Sequence, residues 1–143
     1  AIDTAMETCG HTNWKYLRKL AEYLDLVFYD IKLMDPTKHE MFTGKNNKVI
    51  LTNAEKLSRL RKPMIIRTPI VPGYTDSEEN IEAITKFASS LESAKTVELL
   101  PYHRYGINKY EELDREYELR TTQPPTKEHI DNLERIVRRY FSF

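Results

Sequence analysis

The chain has 143 residues, enough for one domain with a substantial core, and its 22 Lys and Arg residues balance its 22 Asp and Glu residues. The zero net charge and the mixed signs of its charged runs argue against a nucleic-acid partner. No apolar run reaches the roughly 20 residues that cross a bilayer, and no secretory leader pattern is present. The single cysteine, Cys9, fits a reducing compartment. We therefore expect a soluble cytoplasmic domain without a membrane partner.

The first half of the chain is predicted to contain three strands and three helices. In chain order they are a strand that ends at residue 8, a helix over 14–24, a strand over 26–32, a helix over 36–43, a helix over about 47–60 and a strand over 62–68. The second helix has the clearest boundaries, because Asp35 suits an N-cap, Pro36 the first helical position and Gly44 the residue after the last turn.

The second half of the chain is predicted to begin with a loop that leads into a helix capped by Asp76 or Ser77. A strand over 96–101, a long loop and a final helix over 126–142 follow, the last with Thr126 as its cap. Strands separated by helices predict a parallel sheet with right-handed crossovers. Four parallel strands are too few to close a barrel, so the predicted fold of residues 1–143 is α/β, a partial (β/α) barrel that forms part of a larger one.

The strand "VFYDIK" places an acid and a base on one face. Strand side chains alternate between faces, so Asp30 and Lys32 share one side and Tyr29 and Ile31 the other, beneath the helices. The other strands also end in polar residues, namely Glu7 and Thr8, Arg67 and His103. Ligands of parallel α/β folds bind beyond the carboxyl ends of the strands. The sequence therefore predicts a polar pocket at one rim.

Each of these residues also has a purely structural interpretation. The Asp30–Lys32 pair alone suits a rim salt bridge worth about 0–1 kcal/mol, and Arg67 or His103 alone suits an ordinary packing or loop role. Their convergence on one rim favours a ligand site, since uncompensated charges there would be costly. The residues leave open a non-catalytic α/β binding module and a fragment of another barrel enzyme that holds an anionic metabolite through Lys32 and Arg67.

Four motifs follow one another in a characteristic order, "AMETCG", "DLVFYDIKLMDPTKHEMFTG", "IIRTPIVPGYTDSEENI" and "ELLPYHRYGINKY". With them the chain resembles the C-terminal part of a glycyl-radical-enzyme activating enzyme, of the pyruvate formate-lyase activase type within the radical S-adenosylmethionine superfamily. The resemblance extends to about residue 140. It implies a six-stranded partial barrel, of which this chain supplies the last four strands.

The resemblance implies an oxidoreductase of anaerobic metabolism. A reduced [4Fe–4S] cluster cleaves S-adenosylmethionine, and the 5′-deoxyadenosyl radical takes a hydrogen from a glycine of the partner, pyruvate formate-lyase or a related glycyl radical enzyme. The family pattern assigns cofactor contacts to Asp30, Ile31, Lys32 and His103 and places Arg67 near the substrate glycine. Glu7 and Thr8, with Asp30, correspond to a monovalent-cation position at which Glu7 replaces the family's Asp.

Two family motifs are absent from the chain, the cluster-binding CxxxCxxC and a Gly-Gly-Glu strand. Cys9 alone cannot hold an iron–sulfur cluster, which requires several thiolates. We therefore expect the cluster only in a full-length protein and expect this chain to be inactive by itself. Its open sheet edge, without the missing strands, is expected to favour self-association.

Overall fold

A computed structural model of the chain describes residues 2–141 and shows a four-stranded parallel sheet in the order β1-β2-β3-β4. The strands are β1 (Ala5–Thr8), β2 (Leu26–Asp30), β3 (Met64–Ile70) and β4 (Ala94–Pro101). The helices are α1 (Trp14–Ala21), α2 (Pro36–Thr43), α3 (Lys48–Arg59), α4 (Glu78–Ser89), α5 (Ile107–Glu112) and α6 (Lys127–Arg138). The predicted α/β class, four parallel strands with flanking helices, is confirmed.

The two faces of the sheet differ in burial because strand side chains alternate. On the helix-covered face the strand residues are fully or nearly fully buried: Val27, Tyr29, Met64, Ile66, Thr68, Ile70 and Val97. They pack with apolar residues of α1, α3, α4 and α6 in one core. The other face, which we call the concave face, carries the intervening residues, and Phe28, Ile65 and Arg67 there are only half-buried.

Side-chain caps set the helix boundaries much as the sequence predicted. Asp35 accepts hydrogen bonds from the Thr37 and Lys38 amides, and Gly44 ends α2 with a left-handed φ of 73°. Ser77 rather than Asp76 caps α4, and Thr126 caps α6.

Several boundaries differ from the predictions. The predicted loop after β4 contains a 3-10 turn (Arg104–Gly106) and α5, which the sequence concealed because its tyrosines and charges form no apolar stripe. β3 extends beyond the predicted residue 68 to Ile70 and includes Pro69. A strand tolerates proline at a position where the missing N–H is not needed for pairing with a neighbouring strand. α1 ends at Ala21 and α6 at Arg138, short of the predicted residues 24 and 142, and residue 142 lies outside the described range.

No helix within residues 2–141 is both long enough and apolar enough to span a bilayer.

Candidate functional site

Arg67 occupies the centre of the concave face. The sheet register places it between Asp30 of β2 and Glu98 of β4. Its Nη1 lies 2.7 Å from Glu7 Oε1, its Nε lies 3.3 Å from Glu98 Oε2, and its guanidinium carbon lies 5.2 Å from the centroid of the Phe28 ring. All four strands therefore contribute to the surroundings of one guanidinium group.

The charges around Arg67 favour its protonated form. The hydrogen bond to Glu7 raises the pKa of Arg67, and the carboxylates of Glu98 and Asp30 act in the same direction. The Nε atom is nevertheless buried without a hydrogen-bond partner among residues 2–141, because its approach to Glu98 lacks hydrogen-bond geometry. Buried polar groups are normally satisfied, and here the nearby Glu98 carboxylate balances the charge at Nε without a well-formed hydrogen bond.

Asp30 and Lys32 form the ion pair that strand alternation predicted. Lys32 Nζ lies 3.4 Å from Asp30 Oδ2, and each side chain retains about a third of its exposure (34% and 33%). A pair this exposed adds at most about 1 kcal/mol to stability. Both groups therefore remain accessible to a ligand, and they lie next to Arg67 through the Asp30–Arg67 register pair.

A cavity of about 640 Å³ opens next to Lys32 at the carboxyl ends of β2 and β3. Its volume falls in the range of small-molecule pockets. Its lining is largely aromatic and aliphatic and includes Lys32, Met41, Phe42, Pro69, Tyr74, Tyr110, Tyr117 and Leu119. Burial and a hydrogen bond to Tyr102 raise the pKa of Tyr117 to about 12, so its hydroxyl stays protonated at neutral pH. Lys32, Glu116 and Glu118 supply the charged groups of the lining.

His103 follows the carboxyl end of β4, and Lys32 follows the carboxyl end of β2, so both lie at the same end of the parallel sheet, as predicted. The His103 side chain is exposed, and its ring packs against Tyr105 at 4.7 Å between centroids. His103 makes no ion pair or hydrogen bond with Asp30, Lys32 or Arg67 in the described structure. The structure thus pairs Lys32 with Asp30, places Arg67 beside Asp30 in the sheet register, and puts His103 on the same rim.

The remaining predicted residues are placed differently. Thr8 pairs with Tyr29 in the register and therefore faces the helices, and its hydroxyl accepts a hydrogen bond from the Gly10 amide. Glu7 faces the opposite side, where it pairs with Arg67. The side chain of Ile31 is buried, and its N–H and C=O are bonded to Arg67 and Thr68.

Metal binding finds no support in the described part of the chain. Residues 2–141 contain no group of three or more His, Cys, Asp or Glu side chains positioned to hold an ion. Glu7 and Thr8 point to opposite faces, so a cation held jointly by the side chains of Glu7, Thr8 and Asp30 is unsupported. Cys9 is a free, half-buried thiol and supplies one ligand at most, so the chain's own residues do not fit a [4Fe–4S] cluster.

Glu98 is a neighbour of the candidate site that the sequence interpretation missed. It is the one charged residue in the predicted strand "TVELLP", and its exposed carboxylate reaches Arg67 across β3 and β4. A lone charge inside an apolar strand was the available signal.

Comparison with known proteins finds similar proteins that are named as activating enzymes. An indoleacetate decarboxylase activating enzyme from Tractidigestivibacter scatoligenes is 37% identical over 138 residues, which are 96% of this chain and 44% of that protein. A pyruvate formate-lyase-activating enzyme from Streptococcus mutans is 37% identical over 142 residues, 95% of this chain and 54% of that protein. The chain thus spans about half the length of these curated relatives, and no family model matches it.

Solved structures share the fold. A domain of pyruvate-formate lyase-activating enzyme from Bacteroides vulgatus superposes with a TM-score of 0.78 at 26% identity, covering 97% of this chain and 77% of that chain. A radical SAM methyltransferase from Sphaerobacter thermophilus gives a TM-score of 0.72 at 14% identity, covering 95% and 37%. The second likeness concerns the fold alone.

Proposed function

The chain is homologous to glycyl-radical-enzyme activating enzymes over about half of their length, and from this premise we propose that it is the S-adenosylmethionine-binding and substrate-facing part of such an enzyme. In this proposal the complete protein generates a glycyl radical on pyruvate formate-lyase or a related enzyme and acts in the cytoplasm. The observation that carries the proposal is the convergence of Asp30, Lys32 and Arg67 on the concave face.

The residues at this rim suit the groups of S-adenosylmethionine, which combines hydroxyls, a carboxylate, a sulfonium, an ammonium and a purine. When bound, S-adenosylmethionine supplies the radical chemistry. The Asp30 carboxylate can accept hydrogen bonds from hydroxyls, and Lys32 and His103 can contact anionic or polar groups. In this proposal these residues hold S-adenosylmethionine in position and exclude water from it, and they do not exchange protons with it.

The cluster requires ligands that this chain lacks. Cys9 is its only cysteine, so we propose that the cluster cysteines belong to another part of the complete protein and that this chain alone is inactive. The coding sequence before Ala1 tests this: a CxxxCxxC motif in frame supports the activating enzyme, whereas a native start at Ala1 favours a binding module without radical chemistry.

An anionic-metabolite site between Lys32 and Arg67 is the weaker alternative. The Arg67 charge is already balanced by Glu7 at 2.7 Å and Glu98 at 3.3 Å, and Lys32 is paired with Asp30. A phosphate ion would have to displace these carboxylates or face them. Tight binding of inorganic phosphate in a titration calorimeter would reverse this preference.

Replacing either Lys32 or His103 with alanine should weaken S-adenosylmethionine binding to the complete, cluster-loaded protein. A hydrogen bond to a charged group is worth about 1.5–3 kcal/mol, so we expect roughly a tenfold or greater loss of affinity. Titration calorimetry measures the affinity, and the visible absorbance of the cluster should not change.

Lys86→Ala is the matched control for Lys32→Ala. Lys86 is exposed in the last turn of α4, at the opposite end of the sheet, because a crossover helix runs back along its strands. Lys86→Ala should leave the affinity unchanged, and an unchanged affinity in Lys32→Ala would refute the assignment of Lys32.

The free edge of β1 should drive self-association of the isolated chain. β1 pairs only with β2 in the described structure, so its outer backbone groups can pair with another copy. Sedimentation velocity should show dimers or larger species that dissociate in Ala5→Lys, since a lysine on an exposed edge opposes strand pairing. A strictly monomeric chain at high concentration would contradict this expectation.

A further inference from the structure

Residues 31–34, which include Lys32, continue beyond the last paired residue of β2. The register between β2 and β3 ends at the Asp30–Arg67 pair, and the Ile31 amide makes one further bond, to the Arg67 carbonyl at 2.9 Å. Beyond this point the strand ladder no longer holds the segment. Its four carbonyls and the Met34 amide are instead bonded to side chains that come from other elements.

The side-chain amide of Asn80, in the first turn of α4, bonds to this segment through both its nitrogen and its oxygen. Its Nδ2 donates to the Lys32 carbonyl at 3.0 Å and to the Thr75 carbonyl at 2.9 Å, and its Oδ1 accepts from the Met34 amide at 3.0 Å. The side chain is buried, at 9% exposure. One side chain therefore connects the Lys32 backbone to α4 and to the loop after β3.

Two further buried side chains complete the support. Asn47 Nδ2 donates to the carbonyls of Leu33 and Met34 at 3.0 and 2.9 Å. The Thr68 hydroxyl donates to the Ile31 carbonyl at 2.9 Å. Each carbonyl of residues 31–34 thus accepts a hydrogen bond from a buried side chain.

We infer that Asn80 is a positioning residue that holds the Lys32 backbone in place for S-adenosylmethionine. This inference rests on the proposed function. A lysine side chain has four rotatable bonds, so a fixed backbone is needed to limit where its ammonium group can reach, and a binding group displaced by about 1 Å loses much of its contribution. An asparagine suits the position because the carbonyls of Lys32 and Thr75 require donors and the Met34 amide requires an acceptor, and one amide side chain supplies both.

The test measures S-adenosylmethionine affinity by titration calorimetry in the complete, cluster-loaded protein. Asn80→Ala removes all three bonds, and Asn80→Asp keeps the acceptor but turns a carboxylate oxygen toward two carbonyls. We expect about a tenfold loss of affinity in each variant. In the Lys32→Ala background the same Asn80 substitutions should change the affinity by less than about twofold, since residues that act through one group are not additive.

Asn53→Ala is the matched control. Asn53 is also buried, and its Nδ2 donates to the carbonyls of Gly10 and Thr12 at 2.8 and 2.9 Å, away from residues 31–34. Asn53→Ala should lower thermal stability about as much as Asn80→Ala but change the affinity by less than about twofold. Hydrogen exchange of the Met34 amide, which donates to Asn80 Oδ1, should accelerate in Asn80→Ala and not in Asn53→Ala.

The outcomes are distinct. Unchanged affinity in both Asn80 variants, or an equal loss in the Lys32→Ala background, would overturn the positioning role while the proposed site stands. If Lys32→Ala itself leaves the affinity unchanged, the proposed site fails and the inference fails with it. If Asn80→Ala does not fold, Asn80→Asp, which preserves the side-chain shape, decides the question by the same measurements.

Discussion

Gly10→Ala is expected to cause the largest loss of stability of any single substitution considered for this chain. A Cβ at Gly10 would lie 1.8 Å from the Tyr29 hydroxyl oxygen and 2.4 Å from the ring carbon that carries it. Tyr29 is fully buried, and its hydroxyl donates to the Ile50 carbonyl of α3 at 2.7 Å. The Tyr29 side chain therefore cannot move aside without losing a buried hydrogen bond, and its burial also raises the pKa of its hydroxyl.

Gly10 itself is equally constrained. Its amide donates to the Thr8 hydroxyl, its carbonyl accepts from Asn53, and its φ of +65° is a conformation that L-residues adopt reluctantly. Overpacking costs about 1–3 kcal/mol and a left-handed backbone about 1–2 kcal/mol, so we expect a loss of about 2–5 kcal/mol in the free energy of unfolding.

Urea denaturation measures this loss, and Gly44→Ala separates its two causes. Gly44 has a similar φ of +73°, but nothing lies within 4 Å of the added Cβ. Gly44→Ala should therefore cost only the backbone contribution, about 1–2 kcal/mol. Equal losses in the two variants would show that the clash with Tyr29 contributes nothing.

Arg67→Lys is expected to have the largest effect on activity. Lysine keeps the positive charge but loses the planar fork that reaches Glu7 and Glu98 from different nitrogen atoms and lies over Phe28. In the proposed function Arg67 lines the site near the substrate glycine. A displacement of about 1 Å at such a position can lower a rate about 100-fold, so we expect that loss in glycyl radical formation.

Electron paramagnetic resonance of the glycyl radical on pyruvate formate-lyase measures the rate, with the complete activating enzyme in cluster-loaded form. Affinity for S-adenosylmethionine should change less than about threefold, because Asp30, Lys32 and His103 remain. Glu98→Gln is the control: it removes one carboxylate near Arg67 but leaves the 2.7 Å pair with Glu7, and we expect a rate within about threefold of the parent. An Arg67→Lys enzyme with the parent rate would refute the role of Arg67.

Sequence patterns that act over a few residues predicted much of this fold. Alternation placed Tyr29 beneath the helices and Asp30 on the other face, and both placements are confirmed. Asp35 and Gly44 predicted the ends of α2 correctly because both caps act locally. The Asp35 side chain reaches amides two and three residues along the chain, and Gly44 adopts its own left-handed backbone, so neither depends on tertiary contacts. The same alternation requires Glu7 and Thr8 to face opposite sides, so their joint cation site followed from family resemblance and not from strand geometry.

Local periodicity and the parallel direction of the strands were enough to specify the fold class, the faces of the strands and the rim on which Asp30, Lys32 and Arg67 meet. The charges that pair with Arg67 and the buried amides that hold the Lys32 segment were set by tertiary packing. Glu98 reaches Arg67 through the register of β3 and β4, and Asn80 bonds to the Lys32 carbonyl across 48 positions of sequence. Such contacts depend on how helices pack across the sheet, and no local pattern distinguishes a buried asparagine from a solvated one.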